Sequence, residues 1–130
     1  MIRANAITKR TVTGPLLEVA MAQSFCAVMI TGARLDGEGA VIEYCNAAMC
    51  EMTGYTEAEL LGRSPRMLQG PLTDQLVLQS LRDCLHQGLS FQGSVLNYRK
   101  DGSTYHVEWN ISPVRDDKGV IRHFVAVQRD

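Results

Sequence analysis

The chain has 130 residues, of which 45% are apolar and 21% charged, with a formal net charge of −1. That composition is too apolar for disorder, the charge is too balanced to recruit nucleic acid or an anionic membrane surface, and the length suits one domain. A chain of this size buries roughly two thirds of its unfolded surface, enough for a core without disulfides, and no apolar run approaches the ~20 residues of a membrane-spanning helix.

Residues 1–13 are polar, lack the apolar stretch of a secretion signal, and read as a mobile arm. The four cysteines form no C-x-x-C pair, so a reduced, cytoplasmic protein is expected. Gly14-Pro15 then opens a short helix with Leu16, Leu17, Val19, Ala20 and Met21 on its apolar face. Residues 1–24 are thus an arm and a cap helix, which either packs on the domain or contacts a second copy, and residues 25–130 are the domain proper.

Phe25 to Thr31 reads as a buried strand, Asp36-Gly37-Glu38-Gly39 as a turn, and Val41 to Tyr44 as the partner strand of a hairpin. Strand alternation points Ala27, Met29 and Thr31 inward and Cys26 outward. Asn46 caps a helix that Gly54 ends, and Thr56 with Glu59 has capping-box spacing for a second helix over 57–61. Ser64-Pro65 interrupts it, because the residue before proline avoids helical backbone. A longer helix begins at Thr73 or Asp74, with Leu76, Leu78, Leu81, Cys84 and Leu85 on its apolar face and Gly88 as its stop. Phe91 to Arg99 runs into the hairpin turn Lys100-Asp101-Gly102-Ser103. Thr104 to Ser112 follows, then Pro113, a turn at 116–119, and a last strand from Val120 to Gln128. Helices grouped between two strand blocks predict an α+β fold, an antiparallel sheet with helices across one face and room for a pocket between them.

The chemistry-bearing residues are sparse. His86, His106 and His123 are dispersed, with no metal-ligand spacing. Cys45 and Cys50 are five apart, which does not place them on one helical face, and cysteines in such patterns are usually small buried hydrophobes. No phosphate loop, dinucleotide fingerprint or nucleophile elbow occurs, and no nucleophile–base pair can be drawn, so an enzyme is not expected.

One stretch is different. Gly62 to Gly70 reads GRSPRMLQG and resembles the GRNCRFLQG signature of LOV domains, the flavin-binding blue-light branch of the PAS superfamily. The likeness continues in register through IEYCNAAMCEMTGYTEAELLG, LNYRKDGSTYHVEW and SPVRDDKGVIRHFVAVQRD, and covers about residues 27–130. It implies a PAS fold: a five-stranded antiparallel sheet, short helices over one face, and a helical cap before it.

The resemblance also implies roles residue by residue. Arg66 and Arg82 match the two arginines that grip the FMN phosphate, a task suited to the donor fork of guanidinium. Gln69 matches a side chain near the flavin, Asn97 one of two asparagines that bind the ring's pyrimidine edge, and Gln128 the glutamine that relays the light signal. Three positions depart. Ser64 replaces the asparagine before the reactive cysteine, Val107 the second ring-binding asparagine, and Ala27 a polar first-strand residue. The reactive cysteine itself falls at Pro65, which has no nucleophile, so no cysteinyl–flavin adduct is expected. Two readings follow: a sensory module that binds FMN without adduct chemistry, or a cofactor-free PAS domain for dimerisation or protein–protein interaction. Either implies a homodimer, through the sheet face or the N-terminal helix, and a downstream signalling partner.

Overall fold

The computed structural model describes residues 26–37 and 39–130. The expected arm and cap helix, and Phe25, lie outside the described residues. In chain order the elements are β1 (Ala27–Gly32), β2 (Ile42–Cys45), α1 (Ala47–Thr53), α2 (Glu57–Leu60), a 3-10 turn (Pro65–Leu68), α3 (Gln75–His86), β3 (Phe91–Tyr98), β4 (Thr104–Arg115) and β5 (Ile121–Arg129). The five strands form one antiparallel sheet in the order β2-β1-β5-β4-β3. This is the expected α+β fold.

Period-two alternation decides which side of the sheet carries the core. Ala27, Met29 and Thr31 are buried, as are Phe124, Ala126 and Gln128 on β5, Tyr105, Val107 and Ile111 on β4, and Val95 and Asn97 on β3. The register sets Gln128 between Ala27 on one side and Trp109 on the other, and Asn97 opposite Tyr105.

The helices are held over this face by polar anchors. The Asn46 carboxamide oxygen accepts from Met49 N (3.1 Å), capping α1, and from Val28 N (2.9 Å), while its Nδ2 donates to Cys26 O (2.9 Å). One side chain therefore starts a helix and fixes it to the edge of β1. Thr56 and Glu59 close the expected capping box on α2. Asp74 caps α3, accepting from Leu76 N at 2.9 Å. At the far end of α1, Arg99 Nε donates to Met52 O (3.0 Å) and ties the helix to the β3–β4 hairpin.

Three expectations shift. Leu76, assigned to the apolar face of α3, is 80% exposed. It sits two residues before buried Leu78, roughly 200° around the helix axis, so it points to solvent. β4 does not end before Pro113 but continues through it to Arg115. β3 pairs only as far as Ile111, so the missing N–H of Pro113 can face an open side. The first two strands also begin later than the sequence suggests, at Ala27 and Ile42.

Gly70 shows how tightly the segment before α3 is packed. A Cβ there would lie 2.4 Å from Cε1 and 2.6 Å from Cδ1 of Tyr98. The ring cannot swing freely, because its hydroxyl accepts from Leu72 N at 2.9 Å. Gly70 N also donates to Thr73 Oγ1 (3.0 Å), whose hydroxyl donates to Leu96 O (2.8 Å). Gly70→Ala is expected to cost about 1–3 kcal/mol by overpacking. The measurement is a urea melt with a lowered midpoint and an unchanged slope. An unchanged midpoint would show that the segment relaxes.

Candidate functional site

Between the inner face of the sheet and the helices lies a cavity of about 140 Å³. Its sheet wall is Met29, Thr31, Trp109, Ile111, Phe124 and Ala126, and Leu68, Leu78, Leu81 and Leu85 face them from the 3-10 turn and α3. Gly39 and Ala40, from the β1–β2 connection, reach the same space. The six residues singled out from the sequence, Ser64, Arg66, Gln69, Arg82, Asn97 and Gln128, all line it, and so does Pro65. Apolar walls with a few convergent polar groups are the usual lining of a small-molecule site, although such sites commonly measure about 300–1,000 Å³, so a bound ring would require this cavity to widen.

The local structure explains how each polar group arrives. Ser64 caps the 3-10 turn, its hydroxyl accepting from Arg66 N at 3.2 Å, and Pro65 takes the first helical position, which needs no N–H partner. Gln69 closes the turn, its backbone N–H donating to Arg66 O at 3.0 Å. Arg66 is exposed, and its Nη1 donates to Gly37 O at 3.0 Å. Arg82 is half-buried one turn beyond Leu78, and its Nη2 donates to Gln79 Oε1 at 3.0 Å. Among the described residues neither arginine is paired with a carboxylate. Two uncancelled cations thus share one cavity.

The two sheet amides sit deeper. Gln128, close to the C-terminus, is only 2% exposed, and the contact of its Nε2 is Met49 Sδ at 3.6 Å, a weak acceptor. Asn97 is 3% exposed, and among the described residues its Oδ1 has no hydrogen-bond partner. The buried hydroxyl of Tyr105, its cross-strand neighbour, lies near the Asn97 carboxamide but has no partner at full hydrogen-bond geometry among the described residues. Burial pushes the Tyr105 phenol above its usual range, against the opposing pull of Asn97 and Arg99. The Arg99 guanidinium lies over the Tyr105 ring, 4.6 Å from its centroid.

Sequence reasoning missed Trp109, the chain's single tryptophan, as a cavity wall, and Tyr105 beside Asn97. The alternation applied to β1 would have found both, counted along β4 from Val107. It also set Cys45 and Cys50 apart. Cys45 ends β2 and is buried, while Cys50 is half-buried in the first turns of α1. They face one another across the Asn46 cap rather than along a helix. The Cys45 thiol is pushed up to about 12, first by burial and then by Cys50. Among the described residues no group of three or more metal-ligating side chains occurs, and no helix is long and apolar enough to cross a membrane.

The PAS domain family profile matches residues 26–130, so the chain belongs to the PAS family. It is 41% identical over 87 residues to phototropin-2 of Oryza sativa subsp. japonica, covering 67% of this chain and 10% of that protein. It is 37% identical over 108 residues to the nitrogen fixation regulatory protein of Klebsiella oxytoca, covering 83% of this chain and 21% of that one. The chain therefore spans about a tenth to a fifth of the length of these relatives. Its fold superposes on the light-state LOV domain of the blue-light photoreceptor Aureochrome1 with a TM-score of 0.75 and 32% identity, covering 90% of this chain and 88% of that one. The domain is of the PAS/LOV sensory kind.

Proposed function

We propose that this PAS domain is a sensory, non-catalytic module whose cavity binds FMN without forming a cysteinyl adduct. The observation that carries the reading is Asn97 Oδ1, a buried acceptor with no hydrogen-bond partner among the described residues, on a residue that lines the cavity. Stranding such a group costs about 1–3 kcal/mol, which a ligand N–H placed against it would recover. The Gln128 carboxamide, held among the described residues by no stronger partner than a thioether, would offer a donor and an acceptor to the same polar ring edge. Arg66 and Arg82 would hold the phosphate, Gln69 would lie beside the ring, and Ser64 would keep the turn bearing Arg66 in place.

When bound, the flavin would supply a blue-absorbing, redox-active ring. Pro65 offers that ring no thiol, so the chain's own response passes through groups that rearrange hydrogen bonds. Gln128 is the residue so placed, because it lies on β5 with Met49 of α1 above it and Trp109 beside it. A reoriented Gln128 amide would be felt by both the helix layer and the sheet.

A second reading has its own support. Val107, where the resemblance expects the other ring-binding asparagine, is fully buried with Val95 and Tyr105 in an apolar cluster. Val114, Val120 and Val127 are 42%, 46% and 41% exposed, apolar side chains on β4, β5 and the turn between them that a second copy could cover. On that reading the domain is a cofactor-free pairing module. One experiment separates the two: FMN is added, the excess removed by desalting, and the absorption spectrum recorded before and after blue illumination. A retained flavin band that light does not convert to an adduct supports the sensor, whereas a colourless chain that sediments as a dimer supports the pairing module.

A further inference from the structure

We propose that Cys45 and Cys50 form a redox-active dithiol, which a hydroperoxide converts to an intramolecular disulfide across the start of α1. The proposal concerns a place outside the cavity and does not depend on flavin.

The geometry follows from the cap. Asn46 is the N-cap of α1, so Cys45 is the residue before the cap and Cys50 the fourth residue of the helix. Side chains at these two positions often pack together, and an apolar pair there acts as a staple that fixes how the chain enters the helix. In this chain both members are thiols. Together with Tyr44, Glu51 and Glu57 they line a shallow surface hollow. Cys50 is half-buried and reachable from that hollow, whereas Cys45 is 2% exposed. Among the described residues no cysteine is joined in a disulfide.

That asymmetry assigns the roles. A peroxide reaches Cys50 first, because the more exposed thiol is attacked more readily. The Cys50 sulfur takes one peroxide oxygen, giving a sulfenic acid and an alcohol, or water when the oxidant is hydrogen peroxide. The Cys45 thiol, held protonated by its burial, gives its proton to the departing oxygen as its sulfur attacks the Cys50 sulfur, which makes this the slower step. The S–O bond breaks, an S–S bond forms, and the departing hydroxide leaves as water with the Cys45 proton. Two thiols have supplied two electrons, and a small dithiol reverses the change by exchange.

The site is placed to matter. The cap between the two thiols, Asn46, is the side chain that fixes α1 to Val28 and Cys26 of the neighbouring strand edge. Met49, the residue before Cys50, is fully buried and touches Gln128 Nε2 through its sulfur at 3.6 Å. A bond closed across the cap would therefore act on the turn of helix that contacts the cavity's glutamine.

The test uses the full chain. Reduced protein is treated with one equivalent of hydrogen peroxide, catalase removes the excess, and free thiols are alkylated in denaturant, so that buried Cys45 is reachable, before trypsin digestion. Both cysteines fall in the single peptide 35–63, bounded by Arg34 and Arg63. The proposal expects that peptide to lose the mass of two hydrogens, to resist alkylation, and to recover both properties after dithiothreitol. In Cys50→Ser, Cys45 should stay alkylatable after the same treatment, at wild-type levels of untreated protein. The proposal is overturned if Cys50 proceeds to sulfinic acid while Cys45 stays free. It is equally overturned if the bridge joins Cys26, Cys84 or a second chain, or if the peptide is unchanged.

Discussion

Replacing Arg66 and Arg82 together with alanine lowers the affinity for FMN about 100-fold and leaves the affinity for riboflavin almost unchanged. A hydrogen bond to a charged group contributes about 1.5–3 kcal/mol. The lower end applies, since Arg66 is exposed and solvent and salt screen it. Two such contacts sum to about 3 kcal/mol, or two decades in Kd. Riboflavin lacks the phosphate, so it isolates that contribution from the rest of the cavity. Each single variant should lose roughly tenfold on the same scale. The loss should shrink as ionic strength rises, because the wild-type contacts weaken. Equal losses for both ligands would mean that the arginines shape the cavity rather than bind the phosphate. Arg66 also donates to Gly37 O, so a melting curve of the ligand-free double variant is the necessary control.

Asn97→Leu is expected to move two quantities in opposite directions. In the ligand-free chain it removes a buried acceptor that has no partner among the described residues, and the adjoining cavity gives leucine room. Removing that stranded group should stabilise the domain by about 1–3 kcal/mol, several degrees in melting temperature for a domain of this size. The same change deprives a bound flavin of its matching acceptor and should weaken FMN roughly 10- to 100-fold. Stability gained at the expense of binding is the signature of a polar group kept for a ligand. A variant less stable than wild type would contradict this, because it would show that the Asn97 carboxamide already has partners in the free protein. Thermal melts and equilibrium titration on one preparation give both numbers.

The local features were legible where short-range chemistry dictates them. Asn46, Thr56 with Glu59, and Asp74 cap their helices as their sequence spacing says, because capping is settled within four residues. The turn at 100–103 joins two strands as expected, with Gly102 at φ +89°. Leu76 was misplaced because hydrophobicity alone does not fix the phase of a helix at its first turn. Pro113 stayed inside a strand because the neighbour that would need its N–H ends at Ile111, a long-range fact. The pairing of β1 with β5, about a hundred residues apart, has no local signal either. It follows from both strands needing a neighbour to bury Met29 and Ala126.

For the cavity, resemblance rather than spacing singled out Arg66, Gln69, Arg82, Asn97 and Gln128, and the fold gathers them with Ser64 around one chamber. Taken alone, none of these residues announces a ligand. Two arginines on separate elements read as surface charge, and an asparagine within β3 reads as a strand-end polar group. What no motif could supply is the state of their atoms: that Asn97 Oδ1 lacks a partner, and that neither arginine meets a carboxylate among the described residues. The Cys45–Cys50 pairing escaped for a different reason. Counting helical faces misses a contact made between a strand end and a helix across its cap.

The most direct test of the flavin cavity is the absorption spectrum of the chain after incubation with FMN and thorough desalting. The account predicts a structured blue flavin band that stays with the protein, is lost in the Arg66→Ala/Arg82→Ala variant, and is not bleached by light into an adduct. A wild-type chain that comes off the column colourless would contradict it.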